Sequence, residues 1–127
     1  MNNENPSALV VGQRIRNRLI ECLRLIVTAN AEDPSCDLNE LINQWGDWVE
    51  EECHDSAFPL PPYTAKEAAS LQAVNDFITR FCEVTPQLIV DAKNEMQGPE
   101  WFDLKYAAKV ALQEMELRGL LPEDVEA

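Results

Sequence analysis

The sequence has 127 residues, of which 46% are hydrophobic, so it is long and apolar enough for one globular domain with its own core. Its 23 acidic residues outnumber its 10 lysines and arginines, and the formal net charge is −13. A strongly negative surface repels the phosphates of nucleic acids and of anionic lipids. These totals favour a basic partner and argue against direct binding to nucleic acid or to a membrane.

No stretch of the sequence approaches the roughly 20 apolar residues that a transmembrane helix needs. The first six residues lack the basic and apolar regions of a secretory signal. The four cysteines form no Cys-x-x-Cys pair, and a domain with an ample core needs no disulfide framework. We therefore expect reduced thiols and a cytoplasmic protein; the alternative is an exported chain with two disulfides.

Proline and glycine residues divide the chain into segments that show helical periodicity. We predict one all-α domain over residues 1–127, a single compact bundle of about five helices with short connections. Residues 1–6 and 122–127 are expected to be flexible tails.

The first predicted helix runs from about Ser7 to Ala29. Its core stripe repeats at three- and four-residue steps and consists of Ile15, Leu19, Cys22, Leu23 and Ile26. Arg16 projects close to this apolar side, where a guanidinium requires a hydrogen-bonded carboxylate. Glu52 falls on the apolar face of the second predicted helix, so we predict a pair between Arg16 and Glu52.

The second predicted helix begins after Asp37, which can cap its first turn together with Glu40. Its apolar face consists of Leu38, Leu41, Ile42, Trp45, Trp48 and Val49. Core packing is the favoured role for the two tryptophans, although tryptophan is also common at the centre of protein interfaces.

The third predicted helix begins at a capping box formed by Thr64 and Glu67. Its core stripe consists of Ala68, Leu71, Val74, Phe77, Ile78, Phe81 and Cys82. A short fourth helix is expected to begin at Thr85, with Pro86 in its first position, and to end at Gly98 in a left-handed conformation.

The fifth predicted helix runs from about Pro99 to Arg118, stops at Gly119 and carries two apolar lines. The first line consists of Trp101, Leu104, Ala108, Ala111, Leu112 and Met115. The second apolar line consists of Phe102, Tyr106, Val110 and Leu117. We favour a helix that is sandwiched between neighbours; the alternative is that the second line is an exposed surface for a homo-oligomer or a partner.

The negative charge is concentrated in residues 30–64, which we call the acidic segment. This segment contains nine acidic residues and no lysine or arginine, so it carries −9 of the total charge, whereas residues 1–29 carry +2. Charge runs of this kind are usually solvated faces that keep a protein soluble. The functional alternative is a binding ridge that fits a basic groove on a partner.

Catalytic and metal-binding patterns are absent from the sequence. His54 is the only histidine, and the adjacent Cys53 is poorly placed to form a thiolate–imidazole pair with it. The four glycines are isolated, so no phosphate-binding loop can be recognised. Metal sites in helical bundles use several paired carboxylates and histidines, which this chain lacks. We therefore expect a protein that is not an enzyme and holds no cofactor and no metal.

Taken together, these features suggest a small acidic protein that inhibits a basic partner, such as a nuclease toxin or a nucleic-acid-binding protein. Immunity proteins and anti-restriction proteins act in this way, and the comparison is one of size and charge. The predicted partner-binding residues are the acids Asp47, Glu50, Glu51 and Asp55 and the exposed loop aromatics Phe58 and Tyr63. The alternatives are a homodimeric or larger structural protein that uses the second apolar line, and a carboxylate-metal enzyme.

Overall fold

A computed structural model describes residues 7–30, 32, 37–50, 58, 61–85 and 92–127. The helices are α1 (Ala8–Thr28), α2 (Leu38–Glu50), α3 (Ala65–Val84), α4 (Ala92–Glu95) and α5 (Pro99–Glu116). Within these ranges the fold is all-helical, which confirms the predicted class, and α4 is only a single turn. None of the described helices is long and apolar enough to cross a membrane.

The helices α1, α2 and α3 begin close to their predicted positions because side-chain oxygens cap their first turns. The Ser7 hydroxyl accepts a backbone N–H in the first turn of α1, and Asp37 Oδ1 accepts the backbone N–H of Glu40 at 3.2 Å. The capping box of α3 is complete, because Thr64 and Glu67 each accept the other's backbone N–H at 3.1 Å. Local sequence therefore determines where these helices start.

The end of the fourth predicted helix differs from the prediction, whereas its predicted start at Pro86 lies outside the described residues. Thr85 is the C-cap of α3, where its hydroxyl donates to the carbonyl of Phe81 at 2.8 Å, and residues 86–91 lie outside the described residues. Gly98 has a φ of −81° and is the N-cap of α5, so the predicted left-handed C-cap at Gly98 is wrong. The left-handed glycine is Gly119, with a φ of 74°, just beyond the end of α5.

Backbone contacts follow the order α2–α1–α5–α3, so α1 and α5 are the inner helices. The core forms where their apolar stripes meet those of α2 and α3. Most of the predicted α3 stripe is buried or partly buried, but Cys82 is exposed, so its assignment to the core is wrong. The outer helices α2 and α3 approach each other less closely than the other neighbours do, and Cys82 lies on that side.

Phe58 and residues 61–63, which belong to the described part of the connection between α2 and α3, cover one side of this core. Phe58 lies between two other rings, with its centroid 6.5 Å from that of Trp45 and 5.7 Å from that of Tyr63. Pro62 packs directly on α1 at Gly12, where a Cβ atom would lie 3.1 Å from the proline ring. The absence of a side chain at Gly12 therefore allows the loop to approach α1.

Candidate partner-binding surfaces

Arg16 is completely buried where α1 meets α3 and the end of α5. Its Nη2 and Nε atoms donate to the carboxylate of Glu67 at 2.8 and 3.3 Å, and the guanidinium also donates to the carbonyls of Gly119 and Met115. The prediction that a carboxylate holds Arg16 is therefore confirmed. The partner, however, is Glu67; the predicted partner Glu52 lies outside the described residues.

Arg118 is the second guanidinium on the same carboxylate. Its Nη2 and Nε atoms donate to Oε1 and Oε2 of Glu67 at 2.6 and 3.0 Å, and Nη2 also donates to the carbonyl of Pro62 at 2.7 Å. Burial raises the pKa of Glu67, but hydrogen bonds from Arg118 and Arg16 outweigh it and lower the pKa to about 2. Arg16, Glu67 and Arg118, which we call the buried ion cluster, thus tie three helices together and have a structural role.

The role of Glu67 as a buried counter-ion could have been predicted from the sequence. It lies four residues before Leu71 and eleven before Ile78, so it shares the buried stripe of α3. An acidic residue on a buried stripe requires a cation. The capping box accounts for only part of the hydrogen bonding of this carboxylate, and the rest comes from the two arginines.

The other arginines of α1 are also engaged within the chain. Arg18 Nη2 donates to a Glu123 carboxylate oxygen at 2.6 Å, and Arg14 Nε donates to the backbone carbonyl of Glu123 at 2.6 Å. Arg24 forms a longer, exposed pair of 3.4 Å with Glu116. The positive charge of α1 is therefore directed towards α3, α5 and the residues that follow α5.

The C-terminal segment, residues 120–127, is held against α1 by side-chain-to-backbone hydrogen bonds. Gln13, which is fully buried, donates from Nε2 to two carbonyls of this segment, both at 2.8 Å. Asn17 forms two 2.9 Å hydrogen bonds with the backbone of Leu121, one as donor and one as acceptor. This attachment differs from the flexible tail predicted for residues 122–127.

The outward side of α2 carries the first of the predicted acidic contacts. Asp47 is exposed, and no described lysine or arginine forms an ion pair with it. Glu50 is the last residue of α2 and only its backbone is described, whereas Glu51 and Asp55 lie outside the described residues. The part of this face that the structure describes therefore presents a carboxylate to the solvent without a neighbouring cation.

A groove of about 500 Å³ opens beside Asp47, between α2 and α3, and we call it the α2–α3 groove. Its buried lining includes Trp45, whose indole Nε1 donates to Asn75 Oδ1 at 3.0 Å and so connects the two helices. Its exposed lining includes Asp47 from α2 and Glu83 from α3, and its described lining contains no lysine or arginine. An apolar base beneath two carboxylates suits a cationic side chain with a methylene stem.

Phe58 and Tyr63 do not belong to this exposed surface. Each is only 2% exposed, and both rings lie in the aromatic cluster with Trp45. The prediction that they are exposed beside the acidic residues is therefore wrong. Large aromatic rings are stabilised by burial, and the contacts among these three rings place both Phe58 and Tyr63 in the core.

The second apolar line of α5 is exposed to solvent. Its exposed fractions are 61% for Phe102, 71% for Tyr106, 42% for Val110 and 78% for Leu117. The favoured interpretation, a helix sandwiched between neighbours on both sides, is therefore wrong. The neighbours α1 and α3 both pack on the opposite side of α5, where alanine residues allow close approach.

The two described cysteines, Cys22 and Cys82, are free thiols, whereas Cys36 and Cys53 lie outside the described residues. Burial, and to a smaller extent the charge of Glu21, raises the pKa of Cys22 to about 11. Cys82 is exposed in the α2–α3 groove, and partial burial raises the pKa of this thiol as well. In the part of the chain that the structure describes, no group of three histidine, cysteine or acidic residues could hold a metal ion.

Comparisons with models of known protein families, with characterised proteins and with solved structures find no match to this chain. The described structure offers three candidate surfaces for binding a partner. They are the acidic side of α2 with its groove, the second apolar line of α5, and the contact between α1 and the C-terminal segment. Among these three, the α2 surface combines a concave shape with acidic side chains that face the solvent.

Proposed function

We propose that this chain is a small acidic binding protein, with no catalytic activity of its own, that neutralises a basic protein such as a nuclease toxin or a nucleic-acid-binding protein. The observation that carries the proposal is the separation of charge within the bundle. The α1 arginines pair with α3, α5 and the C-terminal segment, whereas Asp47 on α2 has no described cation beside it.

This separation matters because uncompensated charge of one sign opposes folding. The acidic segment carries nine acids and no base, although the chain has arginines that could have neutralised some of them. A basic partner would relieve this repulsion on binding. The same field would also accelerate association, because charge complementarity acts over longer distances than contact forces do.

The position of α2 in the bundle supports the same function. The helix is an outer one that contacts α1 and buries Leu38, Leu41 and Trp45, whereas Asp47 on its other side faces the solvent. Carboxylates on a rigid helix keep fixed spacings, as phosphates do along a nucleic-acid backbone. An acidic helix of this kind can therefore occupy the basic surface that a nuclease or nucleic-acid-binding protein uses for its substrate.

Affinity capture from the native host at low ionic strength, followed by titration with the purified captured protein, tests this proposal. We expect a basic partner whose affinity falls steeply as the salt concentration rises, because salt screens exposed charges. We also expect the bound partner to lose its ability to cleave or bind nucleic acid. An affinity that does not change with salt, or a partner with no basic surface, would contradict the proposal.

A homo-oligomeric structural protein is the second candidate, and the exposed second apolar line of α5 supports it. Large apolar patches that remain exposed on a monomer often mark interfaces. Sedimentation of the wild-type chain and of Tyr106→Lys separates the two candidates. A concentration-dependent dimer that the substitution abolishes would favour self-association, whereas a monomer at every concentration would exclude it.

A further inference from the structure

Gly46 is the one glycine of the chain that the described fold does not explain. Glycine in the interior of a helix is less stable than alanine. Gly12 is required by the approach of Pro62, and Gly119 by its positive φ. Gly98 is the N-cap of α5. Gly46, in contrast, lies inside α2, and a Cβ atom built on it would meet no atom within 4 Å.

The open space beside Gly46 is the α2–α3 groove. A methyl group at this position would therefore border the groove without clashing with a neighbouring residue. Glycine commonly occurs where a ligand or another backbone must approach closely. The glycine is therefore unfavourable for the isolated helix but keeps the groove accessible.

The length of the groove along α3 corresponds to about two turns of a helix. The lining extends from Asn75 to Glu83 on α3, which corresponds to about 12 Å of helix. The backbones of α2 and α3 come less close to each other than the inner helices do, although the Trp45–Asn75 hydrogen bond still connects them. A shallow trough between two helices is the usual site for a third helix.

The charges of the groove select the chemistry of that helix. Asp47 and Glu83 lie on its two sides, and its described lining contains no basic residue. Arg80, on the same helix as Glu83, is stacked over the ring of Phe77 at 5.2 Å and does not line the groove. A helix with an arginine or lysine beside an apolar face would match both the carboxylates and the apolar base.

We infer that the α2–α3 groove receives a basic helix of the protein partner, which passes over Gly46 and places an arginine or lysine between Asp47 and Glu83. This inference rests on the proposed function and specifies where and how the partner is recognised. Gly46 and the carboxylate pair are independent observations, one steric and one electrostatic, and both point to the same space.

The test uses a fluorescein-labelled helical peptide of about four turns, with leucines on one face flanked by arginines. Its affinity is measured for the full chain and for three variants: Asp47→Asn/Glu83→Gln, Gly46→Leu, and the control Asp76→Asn/Asp103→Asn. The control changes the net charge equally, but at exposed residues outside the groove. Gly46→Ala serves as a second steric variant, and circular dichroism verifies that each variant is folded.

We expect Asp47→Asn/Glu83→Gln to weaken peptide binding about tenfold and the control about twofold. Gly46→Leu should abolish binding, and Gly46→Ala should weaken it while the helix remains intact. Equal effects of the groove and control variants would overturn the groove as the site, although salt-dependent binding of a basic partner could still hold. Absence of peptide binding to the wild-type chain would overturn the inference as well.

Alkylation of Cys82 provides an independent readout of the occupied groove. In a Cys36→Ser/Cys53→Ser background the reactive thiol is Cys82, because Cys82 is exposed whereas Cys22 is buried. The bound peptide should slow the alkylation of Cys82 about tenfold, and free spermidine should not. Protection by spermidine as strong as that by the peptide would overturn the assignment of the groove to a protein helix.

Discussion

Where α1, α3 and α5 meet, two guanidinium groups and one carboxylate lie within hydrogen-bonding distance of each other, whereas on α2 the carboxylate of Asp47 faces the solvent with no described cation beside it. A buried charge must be compensated inside the chain because desolvation is costly. An exposed charge is under no such constraint. The pairing of charges in the first region therefore stabilises the fold. The unpaired charge in the second region remains available to bind a partner.

Removing the charge of Glu67 should have the largest effect. In Glu67→Gln two guanidinium groups, one of them fully buried, lose their counter-ion, and breaking a buried pair costs about 3–5 kcal/mol. Urea unfolding measures the loss directly. Asp47→Asn, which removes the exposed carboxylate on α2, is the matched control and should change the free energy of unfolding by less than about 0.5 kcal/mol. Equal effects of the two substitutions would remove the distinction between the regions.

The second-largest effect should come from acid, which weakens the buried ion cluster and so lowers the free energy of unfolding. The pKa of Glu67 falls from its ordinary value of 4.5 to about 2 on folding, so the native state binds fewer protons than the unfolded state between these values. The contribution of about 3 kcal/mol is therefore complete above pH 4.5 and is lost as the pH falls towards 2. Unfolding titrations across this range should show the decline, and Glu67→Gln should flatten it. An identical acid profile in wild type and variant would contradict the assignment.

Asn17→Ala should destabilise the chain by about 1–2 kcal/mol, because the backbone N–H and carbonyl of Leu121 both lose their partner. The substitution tests whether the C-terminal segment, which takes up two arginines of α1, is part of the folded unit. Gln113→Ala on the exposed side of α5 is the control. Hydrogen exchange should show faster exchange at Leu121 in the Asn17 variant. Unchanged exchange would mean that the segment is not held by these bonds.

The smallest effect should be an increase in the stability of the fold. Gly46→Ala should stabilise the chain by about 0.5–1 kcal/mol, because alanine favours the helix interior and its methyl group meets no atom within 4 Å. Gly12→Ala should instead destabilise it, because the added carbon would lie 3.1 Å from Pro62. Thermal unfolding should show a higher melting temperature for Gly46→Ala and a lower one for Gly12→Ala. Destabilisation by Gly46→Ala would show that the fold itself requires this glycine.

Sequence reasoning succeeded where the determining interaction is local. The capping box of Thr64 and Glu67 lies within four residues, and the apolar stripe of α1 repeats along one helix, so both could be predicted. The partner of Arg16 could not be fixed in the same way, because Glu67 is 51 residues distant along the chain. Choosing between Glu67 and Glu52 requires knowing how three helices pack.

The candidate site shows the same limit. The exposure of Asp47 follows from its position on the helix opposite Trp45, and it could be predicted. The α2–α3 groove could not, because it results from the looser contact between two helices that are not neighbours in the order of packing. The burial of Phe58 and the exposure of Phe102 also depend on which neighbours reach each residue. Periodicity identifies apolar positions but does not say which of them will be covered.

The association rate with the captured basic partner tests most directly whether the acidic segment, residues 30–64, binds the partner. The measurement compares the wild-type chain with Glu50→Lys/Glu51→Lys and with the control Asp76→Lys/Asp103→Lys, at low and at high salt. We predict that reversing these two charges of the acidic segment slows association at least about tenfold at low salt. We expect a much smaller effect of the control, and we expect high salt to bring the rates of the variants close together. Equal association rates for the wild-type chain and the Glu50→Lys/Glu51→Lys variant at low salt would contradict this account.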